Sequence, residues 1–501
     1  MRHQGKTTFL LFLLLSMPSL RVHAMTPGAN FWNIGWEGWQ DFFAPGVNWP
    51  TATNPWNPTL VSELQAADIT CLRFMDWNEV NTACVVKWSQ RIPKTANHYN
   101  NANRIPCFID NYDGATNTHT LVWNADTSYG VAVEWQIDLC NRVGADLWMN
   151  IPCTADSDYC FQLAGLIKSQ LNGNLKIYVE WANEIWNWGC PNTVYARNRA
   201  DTVGLTNLDV GAYCDPWRKY DVYASVRTFE QFEKVFGANS PRLVKVIAGQ
   251  VGYHWNGYDF NHMVKGDLAC LKNAVINPGN ETFNAYAMAP YIGGASVAAE
   301  TSAIASEAQN MAWAKNSLDS TGISLVCYEG GADNYPDNNL ALTRDPGQEM
   351  AYVNYLTAMA PYCDGVFNQY CFYGGCWGLK HAPGDSASIS PKWRGWQKYW
   401  AVNSSVESGH ASWNVIADYG GFSFLLRNSV KGKMLSVIGG PERGAVAGGI
   451  TVAVFNLTGR KVLEKTVVPG GTVDLSGIKK ALYLLKIGSG ERAYAAKLPL
   501  D

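Results

Sequence analysis

Glu184 and Glu329 are the residues of this 501-residue chain whose surroundings most need a chemical explanation. The first lies in YVEWANEIWN (178–187), directly after Asn183, and the second in ISLVCYEGG (323–331). Both stretches read as buried apolar strands ending abruptly in a glutamate. A carboxylate at such a place is expensive to desolvate, and it is kept where its charge is used. Two glutamates at the carboxyl ends of separate parallel strands can flank one glycosidic bond. One must hold a proton at working pH while the other is ionised. The plainer reading makes both structural carboxylates that pair with arginines.

Rival chemistries find little in the chain. It has no Gly-x-Ser-x-Gly elbow, no His-Glu-x-x-His and no phosphate-cradling glycine loop. No His/Cys spacing resembles a zinc site, so neither a catalytic metal nor another cofactor is expected. The segment DNYDG (110–114) has the flavour of a calcium loop but lacks the full EF-hand spacing. A net charge of -3, with both signs spread along the chain, argues against nucleic acid or a polyanionic substrate.

The aromatic content points the other way: 21 Trp, 24 Tyr and 18 Phe. Core packing absorbs most of them. Trp36, Trp39, Trp188, Tyr335 and Trp377, however, fall in polar or glycine-rich loops, where a flat apolar face suits a sugar ring. Trp77, Trp186 and Trp377 sit at or just beyond expected strand ends, and core packing explains each nearly as well. His254 and His381 fall in expected loops, within reach of a substrate or simply in solvent.

These side chains need a scaffold. Apolar strand-like runs alternate with helical patterns, the signature of repeated βα units and a parallel sheet. The expected strands are 31–39, 71–77, 146–152, 176–184, 242–250, 283–291, 323–331 and 365–372. Eight of them with intervening helices predict an α/β fold, a (β/α)8 TIM barrel. The Asn-, Thr- and Pro-rich region 78–126 is too long for one connection and reads as an elaborated loop over the active face.

In this frame Glu184 ends strand four after Asn183, and Glu329 ends strand seven. That pattern resembles the clan A retaining glycoside hydrolases, which include the family 5 cellulases and mannanases. The likeness spans roughly 30–400. It implies Glu184 as acid/base, Glu329 as nucleophile and Asn183 as the partner of a sugar 2-hydroxyl. It extends to Arg73 on strand two, to Glu180 four residues before the acid/base, and to Tyr291 in AMAPY as a partner of the nucleophile. Arg73 and Glu180 could equally be an ion pair inside the barrel, and Tyr291 an ordinary strand-end tyrosine. The chain departs from family 5 in two places. Ile185 and Trp186 follow the strand-four glutamate where that family has proline, and no His-Tyr pair ends strand six. The likeness therefore implies the clan and not that family's substrates.

The ends of the chain carry other information. Arg2, His3 and Lys6, the apolar run 9–15, and Val22 with Ala24 form a secretory signal pattern over 1–24; the run is too short for a transmembrane helix. A catalytic domain is expected over 25–405 and a small β-sandwich over 406–501, where short strands alternate with Gly, Pro and Ser turns. VFNLTGRKV (454–462) and VDLSGIKKALYLLKI (473–487) resemble a type IX secretion sorting domain, which implies export machinery as a partner. A carbohydrate-binding sandwich is the alternative, disfavoured by the few aromatics there. With 13 cysteines in an exported protein some should pair. Cys153 with Cys160, Cys190 with Cys214, and Cys371 with Cys376 are the candidates, while Cys71 and Cys327 fall inside strands.

Together these features predict a secreted or cell-surface retaining β-glycosidase, endo-acting on a plant cell-wall β-glycan. Cellulose or mixed-linkage glucan comes first and xylan or mannan next. A polysaccharide or oligosaccharide is the expected partner, with no nucleic acid and no membrane span after signal removal. A non-catalytic glycan-binding protein on the same scaffold is the rival.

Overall fold

In a computed structural model of the chain, the residues described are 25–31, 42–82, 84–98, 104–250, 262–333, 339–403 and most of the strands between 412 and 500. The expected signal segment 1–24, Trp36, Trp39, His254 and Tyr335 lie outside the described residues.

Eight parallel strands close into a barrel in chain order: β1 (Thr26–Asn30), β2 (Cys71–Arg73), β3 (Asp146–Ile151), β4 (Ile177–Trp181), β5 (Leu243–Ala248), β6 (Ala285–Met288), β7 (Ser324–Cys327) and β8 (Val366–Gln369). Helices such as Val133–Val143, Ser157–Gln170, Pro216–Phe236 and Val297–Leu318 connect them around the outside. This is the (β/α)8 barrel that the alternating runs predicted.

The period-two alternation of each strand sorts its side chains into two cores. Leu147, Met149 and Ile151 of β3 face the helices, as do Ile177 and Val179 of β4. Trp148 points the other way, into an inner cluster with Cys71, Tyr178, Val246, Ala287 and Val326. Small residues on one wall make room for large ones on the other, and Trp148 stacks on Tyr178 with ring centroids 5.2 Å apart. Gly28 is small for the same reason, since a Cβ there would lie 2.2 Å from Asn368 Oδ1. Toward the carboxyl end the interior turns polar. Asn30 is in register with Arg73, and Asn150 with Glu180, all four buried.

The boundaries differ from expectation in three instructive ways. The first strand is Thr26–Asn30 rather than 31–39, because the small, weakly patterned run TPGAN hides a strand that the following aromatics outshine. Strands β4 and β7 end at Trp181 and Cys327, so Glu184 and Glu329 lie in the loops just beyond them. Region 78–126 is not wholly irregular: Arg104–Asp113 and Thr118–Tyr129 pair as a long antiparallel hairpin. Its turn explains DNYDG, since Asp113 accepts bonds from Ala115 N at 2.9 Å and Thr116 Oγ1 at 2.7 Å. That is hairpin-turn chemistry, and no metal-binding cluster occurs among the described residues.

Beyond the last barrel helix, Pro391–Asn403, two antiparallel four-stranded sheets follow. One orders Ser412–Tyr419, Phe422–Ser429, Gly432–Gly439 and Thr472–Asp474; the other orders Lys461–Val467, Ile450–Phe455, Ala481–Ser489 and Arg492–Leu500. Val452, Val454 and Val473 are buried, as the inner faces of a sandwich require. Among the described residues no helix is long and apolar enough to cross a membrane.

Candidate active site

The polar layer at the carboxyl end of the barrel is organised by Arg73, which is fully buried. Its guanidinium grips Glu180 through a fork, Nε to Oε2 and Nη2 to Oε1, both at 3.0 Å. Nη2 also donates to Asn183 Oδ1 at 2.7 Å, and Nη1 to Glu329 Oε2 at 3.2 Å and Asn30 Oδ1 at 3.3 Å. One planar cation thus fixes side chains from β1, the β4 loop and the β7 loop. Burial works against its charge, and the Glu180 and Glu329 carboxylates more than restore it. Burial pushes Glu180 up, while Arg73 and the Trp148 indole, which donates at 2.7 Å, pull it back.

Glu329 is buried and accepts three bonds: from Tyr291 Oη at 2.8 Å, from Arg73, and from Asn30 Nδ2 at 3.3 Å. Glu184 is half-buried and accepts from Tyr328 Oη at 2.8 Å and Asn187 Nδ2 at 2.9 Å. Tyr328 adjoins Glu329 in the chain, so one short segment touches both carboxyls. The Tyr291 and Tyr328 phenols are raised far above the ordinary tyrosine value, first by burial and then by the glutamates. They stay protonated and remain donors.

Burial, and next the charge of Glu184, push Glu329 up to about 8, against the pull of Arg73 and the Tyr291 hydroxyl. The second-largest push exists only while Glu184 is charged. Arg73, the Tyr291 hydroxyl and the Asn30 amide favour the ionised form of Glu329 against that push.

The loop that carries Glu184 is bent against its preferences. Ala182 and Glu184 have φ of 56° and 40°, the left-handed region that non-glycine residues avoid. Neighbours hold the bend: Asn150 Nδ2 donates to Ala182 O at 2.8 Å, and Asn192 Nδ2 to Asn183 O at 2.5 Å. Asn183 Nδ2 donates onward to Asn81 at 3.0 Å. After Glu329 the chain turns at Gly331, φ 132°, where any Cβ would meet Gln369 at 2.7 Å.

A cleft of about 520 Å³ opens in front of these groups, lined among others by Glu184, Trp186, Trp188, Gln250, Tyr291 and Tyr328. Trp186 packs near Tyr328, ring centroids 6.2 Å apart, with the Arg218 guanidinium 5.7 Å from its own ring. Trp377 connects to the site indirectly. It meets Tyr370 edge-on at 5.7 Å, and Tyr370 in turn meets Tyr291 at 5.5 Å. Its indole donates to Asp333 at 2.8 Å. Trp77 is different: 1 % exposed, it packs among Phe31, Phe42, Phe74 and Trp56 and offers no face to a sugar. Its place one turn beyond β2 tucks it under the loops instead of into the cleft. His381 is exposed. The expected partner of Cys214, Cys190, is not the one that packing brings up; Cys214 meets Cys270, with sulfurs 3.0 Å apart.

Sequence reasoning missed Asn30, Trp148, Asn187 and Tyr328. Two carried a signal. Tyr328 directly precedes the glutamate, and Trp148 sits at an inward position of a strand already identified.

No protein-family model and no curated protein matches the chain. Among solved structures it is similar to a GH51 arabinofuranosidase from Xanthomonas axonopodis pv. citri, at 12% identity over 96% of this chain and 94% of that one, TM-score 0.48. It is also similar to a family 1 β-glucosidase from Thermotoga maritima, at 11% identity over 77% and 99%, TM-score 0.41. A third is the endo-β-1,4-mannanase from Thermotoga petrophila, at 11% identity over 95% and 98%, TM-score 0.34. Likenesses this distant leave the site's chemistry to be argued from its own residues.

Proposed function

We propose that the chain is a retaining β-glycosidase. The observation that carries this reading is the unequal ligation of two neighbouring glutamates, Glu184 lining the cleft and Glu329 bonded to Tyr291, which also lines it. Glu329 is held by a cation and two neutral donors, whereas Glu184 is held by a phenol and an amide. Glu329 attacks the anomeric carbon, and the C–O bond to the leaving group breaks as Glu184 gives that oxygen its proton. Glu184 then takes a proton from water, which displaces Glu329 from the glycosyl-enzyme. Retaining enzymes hold their carboxyls about 5–5.5 Å apart. The mutual repulsion that lifts Glu329 supports a close arrangement. Asn183, fixed by Arg73 and Asn81, is suited to a sugar hydroxyl beside the reacting carbon.

The substrate is a plant cell-wall β-glycan cut internally, cellulose or mixed-linkage glucan first and xylan or mannan next. Aromatic faces at Trp186 and Trp188 in an open cleft support a polymer over a small pocket-bound glycoside. Export through the 1–24 segment and a sorting role for the C-terminal sheets complete the reading, and both rest on the sequence patterns alone.

Incubation with a panel of β-glucans, xylans and mannans, read by new reducing ends, tests the reading. Wild type should release sugar and Glu329→Gln should not. Proton NMR of the first product should show the β anomer. Equal activity in the variant, or an inverted product, overturns it. Binding without hydrolysis by wild type would favour the glycan-binding alternative.

A further inference from the structure

The hairpin Arg104–Asp113/Thr118–Tyr129 is an elaboration that the two-glutamate chemistry does not itself require. Paired residues of an antiparallel hairpin project to the same side, so Phe108 with Trp123, Asp110 with Leu121, and Tyr112 with His119 share one face. That face leans on the loop and helix that follow Glu184. Phe108 stacks on Tyr195, centroids 5.9 Å apart. His119 lies 5.1 Å from Trp188 at 36°, and Tyr112 lies 4.5 Å from His119 at 30°.

Three rings therefore run in a row, starting from a residue that lines the cleft and ending at the tip of the hairpin. Both ends are open, with Trp188 41% and Tyr112 53% exposed. Large apolar rings are rarely left in solvent as a connected row. Each ring is also held in place. His119 Nδ1 meets Asp110 at 2.6 Å, Tyr112 Oη donates to Asn117 at 3.1 Å, and the Arg197 guanidinium lies 5.6 Å from the Trp188 ring.

We propose that this row is a binding platform for the leaving-group end of a β-glycan chain, a set of distal sugar sites continuous with the catalytic cleft. The inference rests on the glycosidase reading. The direction follows from Glu184: the acid must face the departing oxygen, and Trp188 is on the acid's own loop, four residues on. Asn187 binds that loop together, donating to Glu184 and accepting from Gly189 N at 3.0 Å. The segment leaving with that oxygen thus passes Trp188 and then the hairpin. Sugar rings pack their axial C–H bonds against the exposed parts of Trp188 and Tyr112, while Asp110, Asn117 and Arg197 offer hydroxyl partners alongside.

The test compares long and short substrates. In Tyr112→Ala and Trp188→Ala, kcat/KM on a hexasaccharide of the preferred glycan should fall about tenfold more than on the matching nitrophenyl glycoside. Trp188→Phe should recover part of the loss. Equal losses on both substrates, or no loss on the hexasaccharide, overturn the platform. Titration of Glu329→Gln with β-1,4-linked gluco-, xylo- and mannohexaose gives a readout free of turnover. Hexaose binding weakened by Tyr112→Ala in that background supports the platform even if wild type proves to hydrolyse nothing. Absence of any hexaose binding overturns it.

Discussion

Arg73 on β2 and Glu329 beyond β7 meet at 3.2 Å, although two of the guanidinium donors are already committed to the Glu180 fork on another edge. The cation is thus shared between a structural carboxylate and the proposed nucleophile. Arg73→Lys keeps the charge but cannot span both. The variant should lose about 3–5 kcal/mol of stability, because a buried ion network is left half-paired. Chemical denaturation, with m-values checked for two-state behaviour, would measure it. A loss below about 1 kcal/mol would show that the fork is dispensable.

Removing either carboxyl separates the two roles. Glu184→Ala should lower kcat on a sluggish leaving group on the order of 10²–10⁴-fold, and much less on an activated nitrophenolate that needs no proton. Azide should restore turnover in Glu184→Ala and yield a β-glycosyl azide. Equal losses on both leaving groups would contradict an acid at 184.

Stability should also record the repulsion in the pair. Glu329 is raised from 4.5 to about 8 by burial and by Glu184. A carboxyl raised in this way contributes stability that is complete below about pH 4.5 and is lost as pH climbs to about 8. Glu329→Gln removes that loss. The variant should therefore be more stable than wild type at pH 8, by on the order of 2 kcal/mol, and the two should converge near pH 4. Melting curves across this range would test the sign, which reverses if Arg73 outweighs burial.

Gly331 sits at φ 132° with Gln369 only 2.7 Å from the position of a Cβ. Gly331→Ala should cost about 1–3 kcal/mol and lower kcat by shifting Glu329 two residues away. A melting point and kcat both matching wild type would be inconsistent with this.

Cys214 and Cys270 are poised to join wherever the chain folds in an oxidising compartment, two thiols giving up two protons and two electrons to an oxidised dithiol. Peptide mapping, without reductant, of protein folded under oxidising conditions should find this pair. Cys270→Ser should then lower stability by about 2–4 kcal/mol under oxidising conditions only. A Cys190–Cys214 peptide, the pair suggested by closeness in sequence, would refute it.

The barrel was legible because apolar strand-like runs such as those of β3, β4 and β5 alternate with helical patterns along the chain. The proposed acid, nucleophile and their tyrosine were legible as charged or polar residues ending apolar runs. What stayed hidden follows from physics that a linear pattern does not carry. TPGAN is a strand because a barrel needs a narrow inner position at Gly28, not because its residues favour extended chain. Asn30 and Asn192 look like loop asparagines, and Asn150 like one more residue of an expected strand, until the fold places them beside Arg73 and the strained β4 loop. Trp77 misleads in the opposite sense, since a tryptophan beyond a strand end can cap a core as readily as a sugar. The hairpin escaped notice because its polar strands bury so little.

The polar layer draws Asn30, Arg73, Glu180 and Glu329 from the first, second, fourth and seventh βα units of the barrel. No four consecutive βα units contain it. The proposed activity is therefore a reporter of ring closure itself. During refolding, helix signals should recover before activity, and half-barrel fragments should regain turnover only when recombined.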